Sequence, residues 1–241
     1  MKEQFIRTQM LLGSEGLSRL QRSHVAVFGL GGVGSWCAEA LCRSGVGELT
    51  LIDQDEVSVS NINRQAAALH STVGMKKAAA TALRLKDIAP DCVLHPVAER
   101  YEAQNRDRFF KSRYDFIVDA IDLVSCKLDL IETAHRLNIP IISALGTGNK
   151  LDAQQLRIAD ISKTEGCPLA RIIRKELRAR GIHHSQVVFS PELAHSAEAG
   201  SEAPPPGRRS VPASSMWVPA TAGLLLAQAV ILQLSGCDTK Q

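Results

Sequence analysis

The residues best suited to chemistry in this chain fall in a fixed order. They are the glycine turn V-F-G-L-G-G-V-G-S (Val27 to Ser35), the block L-I-D-Q-D-E-V-S-V-S-N-I-N-R-Q (Leu51 to Gln65), Lys77, and V-D-A-I-D (Val118 to Asp122). Glycines let backbone close on a phosphate, and the helix N-terminus behind such a turn adds unpaired N–H groups and partial positive charge. Gly29 suits the tight turn, Gly31 and Gly32 the approach to phosphate, and Gly34 the close packing of helix on strand. Asp53 lies 24 residues after Gly29, near the position where an acid holds ribose hydroxyls. To this point a redox dinucleotide fits as well as ATP, and the residues that follow separate the two. Arg64 offers phosphate oxygens a planar, permanently charged fork of donors, which cleavage of a triphosphate uses and hydride transfer does not. Lys77 adds a second cation, and Asp122 a hard oxygen ligand suited to magnesium. The set predicts an enzyme that binds ATP with Mg2+.

These residues need a scaffold, and the hydrophobic pattern supplies one. The apolar run His24 to Phe28 reads as a buried parallel strand that leads straight into the glycines and a helical pattern from Val33 to Arg43. Further strands are predicted near 49–52, 92–97, 114–118 and 140–144, with a strand-like Gln186 to Phe189 and a helix beginning near Ser60. Strands alternating with helices predict a doubly wound α/β fold of Rossmann type, with a mostly parallel sheet and ligand at the carboxyl ends of its strands. At 241 residues, 45% hydrophobic and 22% charged, the chain can bury one large core, so a single domain over 1–241 is expected.

Two segments stand apart. Ser190 to Ser215, rich in Pro, Ser, Ala and Gly and carrying Arg208 and Arg209, reads as a flexible crossover loop within the domain. Met216 to Leu234 runs apolar for 19 residues and reads as a C-terminal helix. Its length would just span a bilayer, but Pro219, Thr221, Gly223, Gln228 and Gln233 dilute it. Burial against the sheet or a dimer partner is therefore expected ahead of membrane contact. The amino-terminal M-K-E-Q-F-I-R-T lacks the apolar core of a signal peptide.

Charge and cysteine usage refine the reading. Net charge is only +3, yet residues 171–180 carry five cations and one acid. Arg171, Arg174, Lys175 and Arg178 fall at helical spacing on one stripe, with Ile172, Ile173 and Leu177 expected on the other side. An RNA backbone is the natural partner of such a stripe. Six cysteines, at positions 37, 42, 92, 126, 167 and 237, form no C-x-x-C pair and read as reduced thiols of a cytoplasmic protein. Cys37 and Cys42 are expected in the core. Cys167, before Pro168, is placed to sit at a helix N-terminus, where thiolates are favoured. His183 and His184 match no metal spacing.

The glycine turn, the D-x-D-x-V-x-x-S-N-x-x-R-Q block and the later D-x-x-D together resemble the ubiquitin-activating, or adenylating, superfamily, whose bacterial members include the molybdopterin and thiamine sulfur-carrier activators. The resemblance covers roughly Arg7 to Leu156. It implies that Asp53 holds ribose with Asp55 in the same block, that Asn61, Arg64 and Lys77 meet the phosphates, and that Asp122 binds the metal. It also implies that Arg7, in R-T-Q-M-L-L-G, is lent to the neighbouring active site of a homodimer. Within the superfamily, V-D-A-I-D, D-I-S-K-T-E-G-C-P-L-A-R (Asp160 to Arg171) and V-P-A-T-A-G-L-L-L-A look most like the branch that dehydrates threonylcarbamoyladenosine in tRNA. That branch adenylates the threonyl carboxylate and closes the side chain into a ring. Sulfur-carrier activators commonly carry a zinc held by two C-x-x-C pairs, which this chain lacks. Adenylation of a ubiquitin-like or sulfur-carrier protein remains the alternative, and sulfur-transfer proteins are among the partners some relatives have. Relatives in the dehydratase branch often place a cysteine shortly before the last helix, whereas Ser190 to Val218 has none.

Overall fold

A helical segment, α1 (Ile6–Arg22), precedes the central strand and is broken at Gly13, which takes φ 76° and ψ 166°. The strand itself, β1 (His24–Phe28), is buried at every position, as a strand covered on both sheet faces must be. In the computed structural model, which describes residues 3–196, 198 and 212–237, β1 feeds the glycine turn and then α2 (Gly34–Ser44). The chain continues through β2 (Glu48–Ile52), α3 (Lys77–Ile88), β3 (Val93–Val97), β4 (Phe116–Asp119), α4 (Val124–Arg136), β5 (Ile141–Ala144) and β6 (Arg157–Asp160). It closes with α5 (Pro168–Ala179), β7 (Gln186–Phe189) and α6 (Trp217–Ser235).

The seven strands form one sheet in the order β3-β2-β1-β4-β5-β7-β6. All neighbours are parallel except β6, which pairs antiparallel with β7. This is the expected doubly wound α/β fold. The order reverses between β1 and β4, and that switch point opens the crevice in which such sheets bind ligands. Alternate residues of β1 feed two cores. Val25 and Val27 pack with Leu41 of α2, Leu85 of α3 and Leu226 of α6, while Ala26 and Phe28 pack with Ile131 of α4 and Ile173 of α5.

The differences from the sequence expectation are local. The strand placed at 114–118 runs over Phe116–Asp119, because Tyr114 turns into the core and donates its hydroxyl proton to the Phe109 carbonyl at 2.6 Å. The helix expected near Ser60 is a single 3-10 turn, Val59–Asn61, closed reciprocally by Ser58 and Asn61. Strand β6 was not anticipated. It is four residues at the sheet edge, too short for a period and only half-buried.

Helix α6 has 19 residues and is apolar and long enough to cross a membrane by length and composition. Ten of those residues are instead buried against α1, α2 and the sheet, as expected for a helix apolar all round. Gly223 permits the tight crossing, since a Cβ there would stand 2.4 Å from the Val33 carbonyl oxygen. Of the crossover loop, the described ends are tied to the turn after β5. His195 donates its N–H to the Asn149 carbonyl at 2.8 Å, and Asn149 donates to the Ala213 carbonyl at 2.8 Å. Arg208 and Arg209 lie outside the described residues.

Candidate active site

Three segments meet at the glycine turn. Gly29 takes φ 89° and lies so close to β4's end that a Cβ would stand 2.6 Å from the Ala120 carbonyl oxygen. A Cβ on Gly34 would meet the Gly29 carbonyl oxygen at 1.8 Å, so α2 can begin this near β1 only with glycine. Beside Gly32 the nearest atoms are Pro219, at the start of α6, and the Arg64 side chain, 3.2 and 3.5 Å from where its Cβ would be. A Cβ at Gly31 would meet nothing within 4 Å. The turn is thus clamped at Gly29, Gly32 and Gly34 and open at Gly31, the shape required for backbone to receive an anion at the α2 N-terminus.

Asp53, just past β2, accepts the Leu30 N–H at 2.7 Å on one carboxylate oxygen and the Asp55 N–H at 2.9 Å on the other. Burial raises its pKa above the ordinary carboxylate value, against the opposing pull of Lys77 and those two N–H donors. The acid therefore fixes the turn against the start of the next segment. Lys77, first residue of α3, is buried and donates to the exposed Asp55 carboxylate at 2.9 Å. Asn61 is buried, with its side-chain oxygen accepting the Ser58 N–H at 3.2 Å. Arg64 is half-buried and donates to the Ser60 carbonyl at 2.8 Å and to Asn63 Oδ1 at 2.9 Å, while its own carbonyl accepts the Trp36 indole N–H at 2.9 Å. Asp122 is exposed, two residues beyond the Ala120 carbonyl that abuts Gly29.

Arg7 is not with them. It lines a groove of about 450 Å³ between α1, α2 and α6, beside Ala40 and Ser44. Those residues lie about 9 and 15 Å along the α2 axis from Gly34, toward the helix's far end. The basic stripe on α5 is also separate. Arg171, Lys175 and Arg178 are exposed, but Arg174 is half-buried and donates to the Thr164 carbonyl at 2.7 Å and its hydroxyl at 2.6 Å, holding α5 to the preceding turn. Ile172, expected to face inward, is 47% exposed, so Ala170, Ile173 and Leu177 anchor the helix. Cys167 caps α5, its sulfur accepting the Ala170 N–H at 3.5 Å, with Pro168 at the first helical position and the thiol itself buried. Cys37 and Cys42 are buried in the core, as expected.

Two buried pairs escaped the sequence reading. Asp119, at the end of β4, accepts a hydrogen bond from Lys127 Nζ at 2.7 Å, with both side chains out of solvent, and its other oxygen accepts the Ile121 N–H at 3.1 Å. This pair shapes the loop that carries Asp122. The first acid of D-x-x-D was visible in the sequence, but Lys127 looked like any helix lysine. Lys150 is likewise buried, donating to the carbonyls of Ser190 and Glu192 at 2.8 and 2.9 Å, and burial pushes its pKa below the ordinary lysine value. It ties the turn after β5 to the start of the crossover loop.

A doubly wound sheet whose switch point carries a glycine turn, a ribose-type acid, an arginine and a D-x-x-D defines a nucleotide-binding α/β protein fitted for a polyphosphate. The ThiF family model matches residues 5–241, and the chain belongs to the ThiF family. The tRNA threonylcarbamoyladenosine dehydratase of Bacillus subtilis is 39% identical over 242 residues, covering 97% of this chain and 95% of that protein. Among solved structures, the E. coli tRNA N6-threonylcarbamoyladenosine dehydratase in complex with ATP superposes with a TM-score of 0.87 at 33% identity, over 99% of this chain and 96% of that one. The same E. coli protein in complex with AMP superposes at 0.88 and 32% identity, with the same coverage.

Proposed function

We propose that this chain is an ATP-dependent dehydratase of threonylcarbamoyladenosine in tRNA, working in the cytoplasm as a single adenylating domain. The observation that carries the proposal is near-complete, two-way coverage by a dehydratase of that name at 39% identity, joined to the fit of an ATP-bound structure. The site accords with it. The turn open at Gly31 and the N–H groups at the start of α2 would receive the phosphates, and Asp53 the ribose. Asn61, Arg64 and Lys77, the last ordered by Asp55, would meet the same phosphates. Asp122 would hold Mg2+, which when bound neutralises phosphate charge.

The chemistry follows from the parts. An oxygen of the threonyl carboxylate attacks the α-phosphorus and pyrophosphate leaves. The carbamoyl group of the same side chain then attacks the activated carbonyl carbon, loses a proton, and AMP departs with the carboxylate oxygen. ATP cleavage thereby replaces the release of water. Ring closure needs proximity alone, so no covalent bond to the protein is required. Arg64 and Lys77 stabilise charge that grows as pyrophosphate leaves.

The surface supports two further parts of the reading. Exposed Arg171, Lys175 and Arg178 would contact the tRNA backbone. Met10 and Leu11, 81% and 82% exposed on α1 with Leu11 lining the groove, would join a second copy in a homodimer that brings Arg7 to the partner's site. Nucleoside mass spectrometry of tRNA from cells with and without the gene tests the function. Loss of the cyclic nucleoside in the deletion is expected; an unchanged nucleoside profile together with a detectable carrier-protein adenylate would favour the carrier-activating alternative.

A further inference from the structure

At the amino end of the sheet, opposite the nucleotide crevice, the register of β1, β2 and β3 collects three metal-ligating side chains on one face. His24 pairs in register with Glu48, and His95 with Thr50, so all four side chains share the face that carries Ala26 and Phe28. Glu48 Oε1 lies 2.7 Å from His95 Nε2 and 3.5 Å from His24 Nδ1, and one ligand atom from each of the three residues falls within 4.8 Å of the others. His24 is buried, while His95 lies on the edge strand with its side chain 47% exposed. The cluster therefore has one anchored ligand, one open to solvent, and a carboxylate between them.

Both ring nitrogens of His24 face polar side chains. Thr50 Oγ1 lies 2.8 Å from His24 Nε2, so this ring nitrogen has a hydroxyl partner. The other ring nitrogen, Nδ1, faces the Glu48 carboxylate at 3.5 Å. Two imidazole nitrogens and one carboxylate oxygen suit zinc or a similar divalent transition metal, not magnesium, and leave a fourth position for water.

We propose that His24, Glu48 and His95 form a transition-metal site, of zinc type, that staples β1, β2 and β3 together. It is independent of the nucleotide site and of the reaction assigned there. Thr50 is its supporting residue, since ligating histidines ordinarily have their second nitrogen hydrogen-bonded.

The full chain, stripped with chelator, is titrated with ZnCl2 alone by calorimetry and with CoCl2 alone by absorption spectroscopy. One equivalent of each is expected to bind at neutral pH, giving cobalt bands of nitrogen and oxygen ligation without thiolate charge transfer. Zinc should raise the melting temperature of the native chain. His95→Ala removes an exposed edge ligand, so it should fold normally, lose the zinc-dependent rise, and bind zinc at least tenfold more weakly. Thr50→Val keeps all three ligands yet should weaken zinc by about 10- to 100-fold. Asp122→Ala should bind zinc as the native chain does. Absence of stoichiometric binding, native-like affinity in His95→Ala, a thiolate band in the cobalt spectrum, or loss of binding in Asp122→Ala would each overturn the proposal.

Discussion

Arg64 and Asp122 carry the sharpest tests of the adenylation site. Both approach the glycine turn from outside its backbone, Arg64 against Gly32 and Asp122 just beyond the carbonyl that abuts Gly29, so neither holds a core together. Arg64→Ala and Asp122→Ala should each lower adenylation by about two to three orders of magnitude with the melting temperature little changed, because the loss is of charge stabilisation at the leaving pyrophosphate. Pyrophosphate release assays give the rate, and near-native release by either variant rejects its role. Cys167 makes the opposite case. Its sulfur accepts a backbone N–H as a helix cap, a task serine performs as well. Cys167→Ser should therefore keep most of the dehydratase activity, whereas a nucleophilic thiol replaced by hydroxyl would leave a folded, dead enzyme. At this scale the sequence was informative wherever a residue's type limits what it can do. Glycines in a turn, an arginine after S-N-x-x and paired acids in D-x-x-D have few bland uses together. Lys127 and Lys150 were illegible because only their burial distinguishes them from solvated lysines, and burial depends on tertiary packing.

Among the elements, α5 bears the prediction. Its inward face is Ala170, Ile173 and Leu177, its outward face carries Arg171, Lys175 and Arg178 beside exposed Ile172, and Arg174 is committed to Thr164. A triple charge-neutral variant that spares Arg174 should leave α5 docked and ATP binding unaltered. The slope of log tRNA affinity against log salt should shrink by up to about three units, as counterion release at three phosphates is lost. Filter binding across a salt series reads the slope, and an unchanged slope would make this face merely solvated. The helical spacing of the cations was plain in the sequence, yet the assignment of Arg174 and Ile172 to their sides was not, since a 3.6-residue period fixes a face only to within a residue. Strands β1, β2, β3 and β5 were readable to within a residue as short apolar runs between turn signals. Strand β6 carries no such signal, and its place beside β7 is set by a neighbour 29 residues later in the chain.

For the whole molecule, the place of Arg7 decides how many chains make an enzyme. Its position at the far end of α2, beside an apolar groove and the exposed Met10 and Leu11, removes it from its own chain's glycine turn. If a second copy docks there and supplies Arg7, two inactive proteins should complement each other. Mixing Arg7→Ala with Asp122→Ala, after dissociation and reassociation, should restore about a quarter of native activity, because half the dimers are hybrids and each hybrid has one intact site. No recovery, with hybrids formed, would place Arg7 outside the reaction. The central claim is that the activated carboxylate belongs to a tRNA nucleoside. Its most direct test is incubation of the purified chain with ATP, Mg2+ and tRNA carrying threonylcarbamoyladenosine, followed by nucleoside mass spectrometry. Conversion to a nucleoside lighter by one water, matched one to one by AMP and dependent on Arg64, is the result predicted. Unaltered nucleoside under conditions where the chain forms an adenylate on a carrier protein would contradict it.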